Sequence, residues 1–204
     1  MIDLYTYGTF NGRQVSIMLE ELGVKYDVHK IDLVKGEHKT PSFRLINPSA
    51  RIPVIVDHDV SSNSPLVLSQ TSAILIYLGE KHEKFLSNDI RKKAHTMQWL
   101  AFHATDVTTT LFNEFFLSTL VEIPQLEASL LLKEKALDFY QFFDQQLEQN
   151  KYLAGDEYSI ADIAMFPAVS GLVNILLKRG YVSIYRWFKE TSERAAVRHG
   201  MGIP

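Results

Sequence analysis

Strand-like alternation and helix-like spacing take turns along the first part of the chain. Ile2-Asp3-Leu4-Tyr5-Thr6-Tyr7 alternates and is rich in strand formers, which predicts a strand ended by Gly8. Thr9-Phe10-Asn11-Gly12 is turn chemistry. Val15, Met18, Leu19 and Leu22 then recur at helical spacing up to Gly23, a natural stop. Lys25-Tyr26-Asp27-Val28-His29-Lys30-Ile31 alternates again, and this strand–helix–strand order predicts a parallel pair with a right-handed crossover. A polar loop over residues 35–41 precedes a short helix over 42–46, closed by Asn47-Pro48. Val54-Ile55-Val56-Asp57 and Leu66-Val67-Leu68-Ser69 read as the strands of a hairpin, joined by a hydrophilic turn over 58–64. A helix with Ile74, Tyr77 and Leu78 on one face follows Gln70-Thr71 and completes a β-α-β-α-β-β-α pattern near His82.

Residues 83–89 read as a linker, after which strand signals fade. Met97, Leu100, Ala101 and Ala104 form one helical stripe. Leu137, Tyr140 and Leu147 form a second, with Phe143 at its edge, and Ile163, Phe166, Val169 and Val173 form a third. The expected fold is α/β plus all-α: an α/β domain over 1–82 and an all-helical domain over 90–204.

Composition narrows the classes of function. The 204 residues are 46% hydrophobic and 22% charged, which suits a globular protein with a full core. A net charge of -3 gives no electrostatic case for nucleic acid or an anionic membrane. Met1-Ile2-Asp3-Leu4-Tyr5 has neither a basic flank nor a long apolar stretch, so no secretory leader is expected there. No window is expected to reach the roughly 18 apolar residues of a membrane span. Cysteine is absent, so any thiol chemistry needs a ligand's thiol, and a reducing cytoplasm is the expected compartment. The 7 histidines form no metal motif, no metal is expected, and no GxGxxG or Walker A loop supports nucleotide binding. His29, His58, His82 and His103 read as surface or packing residues.

Four constellations carry candidate chemistry. Ile52-Pro53 stands at the entry of a strand: a trans proline there merely stops the loop, whereas a cis one exposes the backbone of Val54 at a sheet edge, where an extended peptide pairs as an added strand. Ser69-Gln70-Thr71-Ser72 marks a strand-to-helix turn, read either as simple capping by Thr71 or Ser72 or as a carboxylate cradle. Thr9 and Asn11 lie where a strand feeds a helix: Asn11 with Gln14 has the spacing of a capping box, and the same hydroxyl and amide suit donation to a thiolate. Ser159-Ile160-Ala161-Asp162 is a capping box and is read as structural. Phe112, Phe115 and Phe116 are read as core packing, with a pocket wall as the alternative.

Taken together, these segments resemble the glutathione transferase superfamily over nearly the whole chain. The resemblance rests on Leu19-Glu20-Glu21-Leu22-Gly23, Phe43-Arg44-Leu45-Ile46-Asn47-Pro48, Arg51-Ile52-Pro53-Val54-Ile55-Val56-Asp57, Gln70-Thr71-Ser72-Ala73-Ile74, Ser159-Ile160-Ala161-Asp162-Ile163-Ala164 and Ala196-Val197-Arg198-His199-Gly200-Met201. Thr9-Phe10-Asn11-Gly12 and Lys35-Gly36-Glu37-His38 resemble the bacterial Nu class, linked to disulfide and peroxide reduction with glutathione. The resemblance implies a thioredoxin-like N-terminal domain, a helical-bundle C-terminal domain, glutathione as co-substrate and a homodimer. It implies that Thr9 and Asn11 hold the glutathione sulfur, and that Val54, after a cis Pro53, pairs with the cysteinyl part. Gln70 and Thr71 would take the γ-glutamyl end, and Arg51, Ile52 and His38 would flank the rest. The helical domain would form the second-substrate pocket, with Phe10, His103 and Phe112 as candidate lining, for a small electrophile, peroxide or disulfide. Tyr5 or Tyr7 could replace Thr9 as the sulfur's donor. The usual Glu-Ser pair is here Gln70-Thr71, which removes one charged acceptor for the ligand's ammonium, and His38 stands where relatives tend to carry glutamine. A non-catalytic binding or regulatory protein on the same fold is the competing expectation.

Overall fold

The computed structural model describes residues 1–60 and 64–204. The turn expected over 58–64 therefore lies partly outside the described residues. The chain forms two compact units, Met1–Leu86 with Thr191–Pro204, and Ser87–Glu190.

In the first unit, β1 (Ile2–Thr6), β2 (Tyr26–Lys30), β3 (Val54–Asp57) and β4 (Leu66–Ser69) form a sheet in the order β2-β1-β3-β4. β1 and β2 run parallel, as the strand–helix–strand order predicts, and β3 is antiparallel to both β1 and β4. The alternation of β1 buries Ile2, Leu4 and Thr6. α1 (Phe10–Leu22) presents Val15, Met18, Leu19 and Leu22 to the core and ends on Gly23, whose φ of 68° lets its N–H reach the carbonyls of Leu19 and Glu20. α2 (Pro41–Ile46) buries Phe43, and α3 (Thr71–His82) buries Ile74, Leu75 and Leu78. At the end of β3 the fully buried Asp57 accepts from Lys81 Nζ at 2.7 Å and from the Tyr77 hydroxyl at 2.8 Å, tying α3 to the sheet.

Two expectations are corrected here. β3 is an inner strand, so Val54 does not lie on a sheet edge; it stands at the strand's N-terminal end, opposite Tyr5 on one side and Ser69 on the other. The helical domain does not run to 204, because α9 (Ala195–Gly202) packs on α1 instead. Arg194 forks onto Glu21 at 2.6 and 2.8 Å, Val197 is buried, and the buried Ser16 hydroxyl donates to the Gly200 carbonyl at 2.7 Å. This partner explains why Ile17 is buried on α1 besides the predicted stripe.

The second unit contains α4 (Ile90–Phe102), a π-helical turn (His103–Thr108), α5 (Thr109–Phe115), a second π turn (Phe116–Leu120), α6 (Leu126–Gln149), α7 (Ile160–Lys178) and most of α8 (Val182–Ser192). Leu100, Leu137, Tyr140, Phe143, Leu147, Ile163, Phe166, Val169 and Trp187 are buried, whereas Ala101 of the first predicted stripe is exposed. Ser159 and Asp162 form the capping box read from the sequence. Asp162 is buried and also accepts from Leu153 N at 3.0 Å and Trp187 Nε1 at 2.9 Å, so its carboxylate is a structural hub. Against expectation, α7 is long and apolar enough to cross a membrane, with a mean hydropathy of 1.9 over an 18-residue window. It is the central helix of this unit, with Ile160 through Val169 buried in its core.

Candidate functional site

The strand register brings three segments to one end of the sheet in the first unit. Tyr5, near the end of β1, is opposite Val54 at the start of β3, and Val54 is opposite Ser69 at the end of β4. From these positions the chain leads to Thr9 and α1, back to Ile52-Pro53, and on to Gln70 and α3.

At the first of these turns, Thr9 is the N-cap of α1, and its hydroxyl oxygen accepts from Gly12 N at 3.1 Å. A threonine hydroxyl that accepts in this way still has its own proton to donate. Glycine is required at position 12, because an added Cβ would lie 2.2 Å from the Tyr7 carbonyl oxygen and 2.5 Å from Thr6 Oγ1. The cap is thus Thr9 on Gly12, not an Asn11–Gln14 capping box. Asn11 instead uses its Oδ1 to accept from Gln14 Nε2 at 3.2 Å, which makes its NH2 group the donor end.

At the second turn the Ile52–Pro53 bond is cis. Pro53 and Val54 are buried, and Arg51 is exposed. Asn47, which the sequence offered only as a helix stop, organises this loop. Its Nδ2 donates to the Arg51 carbonyl at 2.7 Å, while its Oδ1 accepts from Ser49 N at 3.1 Å and Ser49 Oγ at 2.9 Å. Asparagine directly after a short helix, with serine two residues on, is an Asx-turn signal that could have identified it.

At the third turn no side chain among the described residues caps α3. Capping by Thr71 or Ser72, the bland reading of this segment, is therefore not what the structure has. Gln70 takes a φ of 72°, in the region that favours glycine. Backbone held this way costs about 1–3 kcal/mol and is retained where the surroundings demand it. The first turn of α3 presents N–H groups and the positive end of the helix dipole to any anion placed there.

The remaining candidates are placed as follows. His38 sits in a 3-10 turn (Glu37–Lys39) before α2 and is half-buried. Burial first, then the cations of Lys39 and Arg44, hold its pKa below the ordinary value and so favour the neutral ring. Its Nδ1 is buried without a hydrogen-bond partner among the described residues. The Tyr5 ring stacks on His29 at 4.6 Å and meets Phe43 edge-on at 6.4 Å, and burial with the nearby Asp3 charge raises its pKa. Tyr7 lies under Lys30 Nζ at 5.7 Å. Of the proposed second-substrate residues, Phe10 is 39% exposed at the start of α1. His103 and Phe112 belong to the other unit. His103 is buried, its Nε2 is 3.1 Å from Thr108 Oγ1, and burial pushes its pKa down to about 4. Phe112, Phe115 and Phe116 are each about half exposed, so they are not the core packing expected of them.

Comparison with known proteins bears on this arrangement. A sequence profile described as the glutathione S-transferase N-terminal domain matches residues 11–81, and one for the glutathione S-transferase C-terminal domain matches residues 102–195. The disulfide-bond oxidoreductase YghU of Escherichia coli is 35% identical over 98% of this chain and 73% of its own length. The disulfide-bond oxidoreductase YfcG of the same organism is 35% identical over 96% of this chain and 92% of its own. A crystal structure of a glutathione transferase from Pseudomonas putida, with one glutathione disulfide bound per subunit, superposes with a TM-score of 0.91 at 31% identity, covering 100% of this chain and 91% of that one. With both profiles matched in order and YfcG aligned over nearly its full length, the chain belongs to the glutathione transferase family.

Proposed function

We propose that the protein is a glutathione-dependent disulfide reductase that works without a cysteine of its own. The observation that carries this reading is the bare N-terminus of α3, introduced by Gln70 at positive φ and adjoining, through Ser69 and Val54, the cis Ile52–Pro53 turn. The γ-glutamyl carboxylate takes the N–H groups of Thr71 and Ser72, with the Gln70 amide and Thr71 hydroxyl beside it. The Val54 backbone orients the cysteinyl residue from the end of β3, and Arg51, Ile52 and His38 flank the remainder. The sulfur then falls to Thr9 and Asn11.

Energetics favour Thr9 as activator. A free thiol has a pKa of about 8.5, and lowering it by ~2 units needs about 2.7 kcal/mol in favour of the thiolate. One hydrogen bond to a charged acceptor supplies about 1.5–3 kcal/mol and a helix start about 0.3–1 kcal/mol more. The Thr9 hydroxyl at the head of α1 offers both. Tyr5 is a weaker candidate because its ring is engaged by His29 and Phe43.

The reaction balances with two glutathione molecules. The bound thiolate attacks one sulfur of the substrate disulfide, the S–S bond breaks, and the departing thiolate takes a proton from solvent. A second glutathione thiolate attacks the resulting mixed disulfide, releasing the other substrate thiol and glutathione disulfide. The YghU and YfcG names and the disulfide seen in the P. putida protein support this direction over conjugation. The reducing cytoplasm supplies the reductant, and a homodimer is the expected assembly.

Calorimetry with reduced and oxidised glutathione, with assays on a mixed-disulfide substrate and an electrophilic aryl chloride, tests the proposal. Binding of both forms and turnover of the disulfide are expected. Binding without turnover of either substrate returns the non-catalytic reading, and turnover of the aryl chloride alone makes the protein a conjugating transferase.

A further inference from the structure

We propose that the helical unit carries a second small-molecule site, for a neutral ligand bearing several hydroxyl groups, in a half-open cavity beside the C-terminal end of α6. The cavity measures about 340 Å³, at the small end of the range for ligand pockets. Its lining includes His95, Gln98 and Trp99 of α4, Gln146 of α6, and Asn150 and Ala154 just beyond it. None of these residues belongs to the glutathione site proposed above, and neither reading depends on the other.

The polar lining is held in place. Gln146 Nε2 donates to the Leu153 carbonyl at 2.8 Å, and Asn150 Nδ2 donates to the Gln146 carbonyl at 3.0 Å. One N–H of each amide is engaged on backbone in this way, and the remaining N–H and the carbonyl oxygen of each suit a ligand whose groups both donate and accept, as hydroxyls do. Arg186 Nη2 donates to the carbonyls of Leu147 at 2.7 Å and Asn150 at 3.1 Å, fixing the backbone at the end of α6. Tyr152 and Gly155 exchange backbone hydrogen bonds of 2.8 and 3.2 Å, so the rim is a closed turn. The Trp99 ring is packed on Phe143 at 5.2 Å and meets Phe102 edge-on at 6.0 Å, which fixes the indole as a flat apolar wall. Such a wall suits the C–H face of a sugar-like ring. Among the described residues the lining holds neither carboxylate nor ammonium, so an ion bound there would lack a fixed counter-charge. Hydroxyls, in contrast, donate to the amide oxygens and accept from Gln98 and His95.

Glucose and maltose are the probes, with choline and glutarate as charged controls, each titrated against the whole chain and read by saturation-transfer NMR and tryptophan fluorescence. The chain has 2 tryptophans, and Trp187 is fully buried, so Trp99 carries the response. Saturable binding of a saccharide is expected, weakened about tenfold or more by Ala154→Phe, which fills the cavity. Trp99→Leu, with its fold checked by circular dichroism, provides a second variant with the same expected loss by NMR. Absence of saturable saccharide binding, tighter binding of choline or glutarate, or undiminished binding in both variants overturns the proposal.

Discussion

The side-chain amide of Asn47 donates to the backbone carbonyl of Arg51 across 2.7 Å and so closes the loop that carries Arg51, Ile52 and Pro53. Its oxygen is equally committed, to the backbone and hydroxyl of Ser49. Asn47 is 5% exposed, so removing the amide leaves buried groups without partners. Asn47→Ala is expected to cost about 1–3 kcal/mol of stability in urea unfolding. Glutathione affinity measured by calorimetry is expected to fall about tenfold, because the loop must then be ordered by the ligand. Unchanged affinity would separate this loop from the ligand.

Gln70 sets ligand affinity against stability. Its φ of 72° costs an L-residue energy that glycine does not pay. Gln70→Gly is expected to stabilise the first unit by about 1 kcal/mol, raising the melting temperature by about 2–4 °C. Glutathione affinity should fall by up to about tenfold with loss of the amide's hydrogen bond. A variant that loses stability would mean that the conformation stores no strain, and one that keeps full affinity would remove the side chain from the site.

What the sequence made legible was local. Val15, Met18, Leu19, Leu22 and Gly23 declare α1 through spacing and stop signal within a few turns. Ser159 and Asp162 declare their capping box three residues apart. Thr9, Gln70 and Pro53 were visible because turns between elements have their own chemistry. Non-local facts were hidden. Alternation along Val54-Ile55-Val56-Asp57 says that a strand forms but not that it lies between two others, since strand order is set by packing across the sheet. Gln70 is not a residue type that advertises positive φ. Nor does anything around Gly200 announce a partner 184 residues earlier, so α9 read as one more bundle helix.

That contact gives a third prediction. A Cβ added at Gly200 would lie 2.5 Å from Ile17 Cα and 2.6 Å from Ile17 N, backbone atoms that cannot step aside. Gly200→Ala is expected to destabilise the first unit by about 1–3 kcal/mol, through displacement of α9 from α1. Hydrogen exchange should show faster exchange in α1 and α9, with α7 unaffected. Protection unchanged in α9 would contradict the packing.

Thr9 is tested through proton affinity. If its hydroxyl donates to the bound sulfur, Thr9→Ala should raise the pKa of bound glutathione by about 1–2 units, followed by thiolate ultraviolet absorbance. Thr9→Ser should restore the low value, because serine keeps both the cap and the donor. The alanine variant also loses about 1 kcal/mol of helix capping, so a thiol titration that moves in alanine and recovers in serine separates activation from capping.

His103 predicts a pH dependence of the helical unit. Burial lowers its pKa from 6.5 to about 4, so the folded unit favours the neutral ring and the unfolded chain binds a proton first as pH falls. Its contribution is complete above pH 6.5 and is lost progressively down to about pH 4. Each pKa unit is worth about 1.4 kcal/mol, so the loss is about 3 kcal/mol at the acid end. His103→Gln, which keeps a donor and acceptor for Thr108 without titrating, should flatten denaturant stability across this window. Asp57 acts elsewhere: burial raises its pKa, but Lys81, the Asp59 N–H and Tyr77 outweigh that and leave it below 3.8, so its contribution fades only at lower pH and in the first unit. Both tryptophans, Trp99 and Trp187, lie in the helical unit, so tryptophan fluorescence follows that unit, and an acid slope in that signal that survives His103→Gln would assign the pH sensitivity to another group.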